Sequence, residues 1–208
     1  FQSSYTWGHN IDDAGIFGGD HQDTLNLRLD RGNSPYDTRH TFVSSFNYEL
    51  PFARNTGGVT ALIARGWQIN GILRLSTGQY LTPNVGPNNL NGAGTQRANV
   101  VPGCDWKLDN PTPNRWFDTS CFTIPAQFTF GNAGRNIIEG PGTRNFDFSM
   151  FKNIYLTKSE NPKQLQLRGE FFNVTNTPQF NQPNTTIGTQ NAATINAAGS
   201  PTSFQRTQ

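Results

Sequence analysis

Residues 143–175, TRNFDFSMFKNIYLTKSENPKQLQLRGEFFNVT, constrain the fold more than any other part of this chain. In the first half Phe146, Phe148, Met150, Ile154 and Leu156 fall at every second position, interrupted by Lys152. The positions between them carry Asn145, Asp147, Ser149 and Asn153, with Phe151 and Tyr155 as exceptions. In the second half Leu165, Leu167 and Phe171 alternate with Gln164, Gln166, Arg168 and Glu170. A repeat of two places alternate side chains on opposite faces of a β-strand. Between the halves, TKSENPK holds Ser, Asn and Pro, which favour turns. The stretch reads as two long strands joined by a short turn, apolar on one face and polar on the other. That pattern suits a half-buried sheet in water, and equally a membrane barrel with lipid outside and a wet lumen.

The same alternation recurs upstream. In residues 39–50 Phe42, Phe46, Tyr48 and Leu50 share a face opposite Thr41, Val43, Ser45, Asn47 and Glu49. In residues 66–77 Trp67, Ile69, Leu73 and Leu75 oppose Gln68, Asn70, Arg74 and Ser76. An opening strand over residues 1–10 sets Phe1, Ser3, Tyr5 and Trp7 on one face. The expected organisation is a single all-β segment, an antiparallel up-and-down meander. Its strands lie at about 1–10, 39–50, 66–77, 143–156 and 163–175, with a last strand starting at 203–208. Long loops take up 11–38, 78–142 and 176–202, and the 21 glycines and 13 prolines suit such loops. Short strands within the longest loop are expected around 122–124 or 128–130. Connections alternate long and short, so one end of the meander carries tight turns and the other elaborate loops. Outer-membrane barrels show this asymmetry, with short periplasmic turns and long extracellular loops. The strand lengths approach the roughly 9–11 residues that cross a bilayer at a tilt. Tyr5, Trp7, Tyr48, Trp67 and Tyr155 near strand ends fit an interfacial aromatic girdle. These features favour a fragment of an outer-membrane β-barrel over a soluble sandwich.

Charge narrows the function classes. With a net charge of +2 and scattered Lys and Arg, no basic stripe is available for nucleic acid. No apolar run has the length of a membrane helix.

Longer stretches of the chain resemble a known family. SYTWGHNIDDA (4–14), SPYDTRHTFVSSFNYELPF (34–52), GWQINGILRLSTGQYLTP (66–83), NPTPNRWFDTSCFTIP (110–125), GNAGRNIIEGPGTRNFDFSMFKNIYL (131–156) and LQLRGEFFNVTNTPQFNQPN (165–184) together cover most of it. They resemble the C-terminal barrel region of TonB-dependent outer-membrane receptors, in particular the Oar-like type with a carboxypeptidase-regulatory-like N-terminal domain. The resemblance implies a plugged barrel of about 22 strands, a Gram-negative outer membrane, and energised uptake of a bulky nutrient. Plug and energy-coupling box do not occur in the chain, and its last strand stops as it begins. The implied partners are outer-membrane lipid, the rest of the receptor chain and a TonB-type coupling protein. An alternative is a secreted or surface β-module that self-associates through its sheet edges. A hydrolase on a β scaffold ranks below both; Asp147 and Glu170 on adjacent strands would be its carboxylate pair, and no GxSxG elbow is present.

Several residues are candidates for function. Asn47, Glu49, Arg74, Arg168 and Glu170 would face a lumen. Tyr80, Trp106, Trp116 and Phe117 in the longest loop could stack on a planar ligand, against the alternative that they pack the loop onto itself. No cofactor is expected; the weak metal candidate is calcium at Asp20, His21 and Asp23 in GGDHQD, where oxygen donors suit a hard ion. Cys104 and Cys121 match no zinc spacing. A local disulfide is preferred over two free thiols, and closing a loop of this size stabilises by roughly 3 kcal/mol.

Overall fold

The computed structural model describes residues 1–13, 21–52, 57–86, 89–90, 95–156 and 163–196. The expected strand start at 203–208 and most of the TKSENPK turn lie outside the described residues. Among the described residues five sheet strands form: β1 (Gln2–Trp7), β2 (His40–Glu49), β3 (Trp67–Ser76), β4 (Thr143–Tyr155) and β5 (Gln164–Phe171). They make one open sheet in the order β1-β2-β3-β4-β5, with β1 and β5 as its edges. Sequence neighbours are spatial neighbours, as in an up-and-down meander.

Backbone pairing fixes the register. Leu50 N–H donates to Trp67 O and Thr77 N–H to His40 O, which sets β2 antiparallel to β3. Asn153 N–H donates to Gly66 O, so the end of β4 meets the start of β3. β4 and β5 pair antiparallel from Phe148 opposite Phe171 to Tyr155 opposite Gln164. Side chains directly opposite share a face. One face therefore gathers Phe42, Phe46, Ile69, Leu73, Phe146, Phe148, Met150, Ile154, Leu165, Leu167 and Phe171, and Lys152 opposite Leu167. Gly71 is required on this face, because a Cβ there would collide with the rings of Phe46 and Phe146.

Three features differ from expectation, the first being β1, which ends at Trp7 and not at residue 10. β5 stops at Phe171, short of 175, because Asn173 takes up a left-handed conformation (φ 47°). Its Oδ1 accepts from Thr177 N–H at 3.0 Å and its own N–H donates to Asp147 Oδ1 at 2.8 Å, closing a turn that one backbone bond, Val174 N–H to Phe146 O at 2.8 Å, still ties to β4. The connection from β2 to β3, expected to be one of the short ones, contains a helix. This helix, α1 (Gly58–Ala64), is entered through Gly58 at φ 68°.

The described residues divide into two compact units. The sheet unit comprises Phe1–Thr6, Thr41–Leu75 and Arg144–Thr177. The loop unit comprises Trp7–His40, Ser76–Thr143 and Pro178–Gln208, and so draws on all three segments expected to be long loops. The loop unit is not irregular throughout. Ile11–Asp12 pairs with Gly32–Asn33, Tyr80–Leu81 with Ile138–Glu139, and Asn99–Val100 with Phe122–Thr123. Lys107–Thr112 and Arg115–Phe117 form a bulged hairpin. Asn84–Val85 runs parallel to Thr186–Ile187, joining segments a hundred residues apart. Of the two short strands expected here, the one at 122–124 forms; at 128–130 none does, and Phe128 sits at φ 65°, outside strand geometry. The unit encloses an apolar core of Val85, Ala98, Phe117, Cys121, Phe122, Ile138, Ile187 and Ala193. Cys104 and Cys121 are joined in a disulfide beside it.

Candidate functional site

Each unit presents one candidate surface. On the sheet it is the polar face. Alternation sets Asn47 and Glu49 of β2, Arg74 of β3, and Arg168 and Glu170 of β5 together on this face. Amide side chains bridge the strands: Gln68 Nε2 donates to Asn47 Oδ1 at 2.9 Å, and Gln166 Nε2 to Asn153 Oδ1 at 2.8 Å. Arg168 pairs with Glu170 at 2.5 Å and stacks 4.7 Å from the Phe151 ring centroid. Asp147 is occupied in the Asn173 turn and Glu170 by Arg168, so each carboxylate already has a structural partner. The amide atoms Asn70 Nδ2 and Asn145 Oδ1 are enclosed without a hydrogen-bond partner. Buried polar atoms are normally satisfied by protein or water.

On the loop unit the candidate surface is a cavity of about 250 Å³ lined by Asp30, Tyr80, Thr82, Arg97, Arg135 and Asn136 among others. Its charged groups are spoken for. Arg97 donates to Asp30 Oδ1 at 2.8 Å and to Leu29 O at 2.9 Å. His21 Nδ1 lies 3.0 Å from Asp30 Oδ2. Arg135 bonds Asp12 and donates to Asp30 O at 3.0 Å. Burial pushes the Arg97 guanidinium below its ordinary value, with Arg135 adding to that and Asp30 opposing it. Beside this pair Gln22 is fully used: Nε2 donates to Gly131 O, and Oε1 accepts from Arg97 and Gly131 N–H. The GNAGRN stretch thus serves close backbone packing, since a Cβ on Gly131 would strike Arg97 O. Asn136 (φ 52°) exchanges hydrogen bonds with Asn33 and accepts from Thr82. The cavity is the interior of a polar network that ties the segment before β2 to the one before β4.

The aromatic candidates separate. Phe117 is 2% exposed and packs edge-on against Phe122. Trp106 lies 5.6 Å from the Phe122 ring centroid, and Trp116 Nε1 donates to Glu139 O at 2.8 Å. These three pack the unit together around the disulfide. Tyr80 alone lines the cavity, under Arg39 at 4.7 Å. Burial pushes its phenol up, Glu139 and Asp37 add to that, and Arg39 opposes. Of the metal candidates, Asp20 lies outside the described residues, His21 is bound to Asp30, and Asp23 accepts from Leu25 N–H at 2.9 Å. No group of three or more His, Cys, Asp or Glu converges among the described residues. The Asp30–Arg97 pair escapes sequence reading because its partners lie 67 positions apart and neither sits in a motif.

A meander of long antiparallel strands with an exposed apolar face and an exposed polar face defines a membrane-barrel class of sheet. The family model for the outer membrane beta barrel domain matches residues 1–207, and the chain belongs to that family. Its place is the outer membrane. No curated protein and no solved structure matches the chain. Among the described residues no helix is long and apolar enough to cross a membrane; in this family the strands do so.

Proposed function

We propose that this chain is the C-terminal barrel portion of a TonB-dependent receptor that takes up a bulky nutrient. The observation that carries the reading is the loop unit, in which two long inter-strand segments and the segment after β5 combine into one disulfide-bonded body with its own core. A receptor needs a structured surface to hold ligand, and a body with its own core and disulfide can supply one. The resemblance of the long sequence stretches to Oar-like receptors supports the same reading. On this reading Asn47, Glu49, Arg74, Arg168 and Glu170 line the lumen. The free edges of β1 and β5 pair with the rest of the receptor barrel, because an open edge in hydrocarbon leaves backbone groups unpaired. The loop unit faces outward, and a TonB-type protein drives uptake through other parts of the receptor.

The test works whatever the nutrient is. Solutes depleted from the medium are compared between a parent strain, a strain lacking the encoding gene, and one lacking the TonB-type coupling protein. A receptor leaves the same solute undepleted in both deletants. A solute retained only when the encoding gene is removed would mark an unenergised pore and overturn the proposal.

A further inference from the structure

Lys152 interrupts the apolar row of β4, where a lysine facing hydrocarbon is costly. The structure shows how the charge is hidden. Lys152 is 4% exposed, and its Nζ donates to Ile63 O at 3.0 Å and to Arg65 O. Those carbonyls belong to the C-terminal end of α1, where a helix leaves acceptors unpaired and its dipole favours a cation. The ammonium also lies 5.3 Å from the Trp67 ring centroid, and Trp67 Nε1 donates to Ile63 O at 2.9 Å. Lys152 and Trp67 stand on the apolar face of adjacent strands. Together they fasten the last turn of α1 to the rim of that face, at the end bearing the shorter connections.

The helix itself, GVTALIA, contains no charged residue. Val59 is 72% exposed and Ile63 65%, with Leu62 also exposed, and Phe52 adds a further open aromatic. A seven-residue helix is too short to hold itself in water. Its apolar surface continues the face that membership of the barrel family assigns to lipid. We propose that α1 is an interfacial helix. It lies in the headgroup and upper acyl region of the periplasmic leaflet and is anchored by Lys152, which spends its charge on the helix end. The occupant of the Val59–Leu62–Ile63 surface is phospholipid. The inference rests on the outer-membrane placement and is independent of the receptor reading.

The test uses the full chain in outer membranes. Both cysteines of this chain are in the disulfide, so an introduced cysteine is the one free thiol within it. Leu62→Cys is labelled with a polarity-sensitive fluorophore, and quenching is compared between lipids carrying shallow or deep nitroxides and aqueous iodide. Met150→Cys on the apolar face and Gln166→Cys on the polar face are the references. The expected result is quenching of the Leu62→Cys label by the shallow nitroxide and protection from iodide. Adding Lys152→Met should remove most of that quenching while a Met150→Cys label stays quenched. If Lys152→Met prevents insertion, Trp67→Phe, which removes the Nε1 donor alone, replaces it and should weaken the same signal. Iodide quenching of the Leu62→Cys label, or protection from both iodide and lipid quenchers as under a protein partner, overturns the proposal. So does shallow quenching that survives loss of the Lys152 or Trp67 donor.

Discussion

Every buried large apolar side chain among the described residues, from Val85 to Ile195, belongs to the loop unit; the sheet unit leaves Met150, Leu165, Leu167 and Phe171 open. Among the described residues of the sheet unit, only Gly71 and Lys152 are buried. One region thus gathers an apolar core, though Leu25, Tyr36 and Phe128 stay open, and keeps a buried ion pair, Asp30 with Arg97. The other displays its hydrocarbon and buries a lysine. The two regions answer to different solvents. Water drives apolar side chains inward in the loop unit. In a bilayer that force is absent at the outer face, and the sheet is held by backbone ladders that leave no polar group toward lipid. Adjacent residues of one chain can therefore obey opposite burial rules.

The sharpest way to break the comparison acts on the loop unit. Asp30→Ala would leave the Arg97 guanidinium enclosed without its carboxylate and free His21 as well. Removing one partner of a buried pair costs about 3–5 kcal/mol. The loss should appear as an earlier denaturant midpoint in the fluorescence of Trp106 and Trp116, which lie in that unit. On the sheet, two successive residues of β4 test the assignment of faces. Met150→Arg at mid-strand should destabilise the inserted barrel by about 2–4 kcal/mol, whereas Ser149→Arg, opposite Glu170 on the polar face, should cost close to nothing. Equal effects at both positions, measured by reversible unfolding in lipid vesicles, would sink the two-solvent account.

Cys104→Ser separates the units again. Opening a bridge over 17 positions should cost the loop unit up to roughly 3 kcal/mol and leave sheet assembly unchanged. The smallest effect concerns pH. Asp118 accepts from the Ser120 hydroxyl and backbone N–H and pairs with Arg115, and these bonds hold its carboxyl below the ordinary value of 3.8. A depressed carboxylate contributes stability that is present above 3.8 and fades as pH falls through its lower folded value. Asp118→Asn should flatten the acid limb of the loop unit's stability profile slightly, read by the same tryptophan signal.

The alternation of apolar and polar residues is enough to place β2, β3 and β4 to within a residue or two, and to put Asn47, Glu49, Arg74, Arg168 and Glu170 on one face. That information is local: a strand's two faces are written in successive residues. The helix α1 is invisible to such reading because seven residues are too few to show a helical period. It exists through contacts with Lys152, nearly ninety positions away. The loop unit is illegible for the same physical reason on a larger scale. Val85, Ala98 and Ile187 are single apolar residues in polar surroundings, and nothing periodic marks them as one core. Trp106, Trp116 and Phe117 look available for a ligand until their partners are seen. Sequence alone determined the amphipathic strands and which residues share each face. Only the tertiary structure decided what becomes of the long connections and of the one lysine in the lipid row, because those outcomes depend on partners that the chain brings together from far apart.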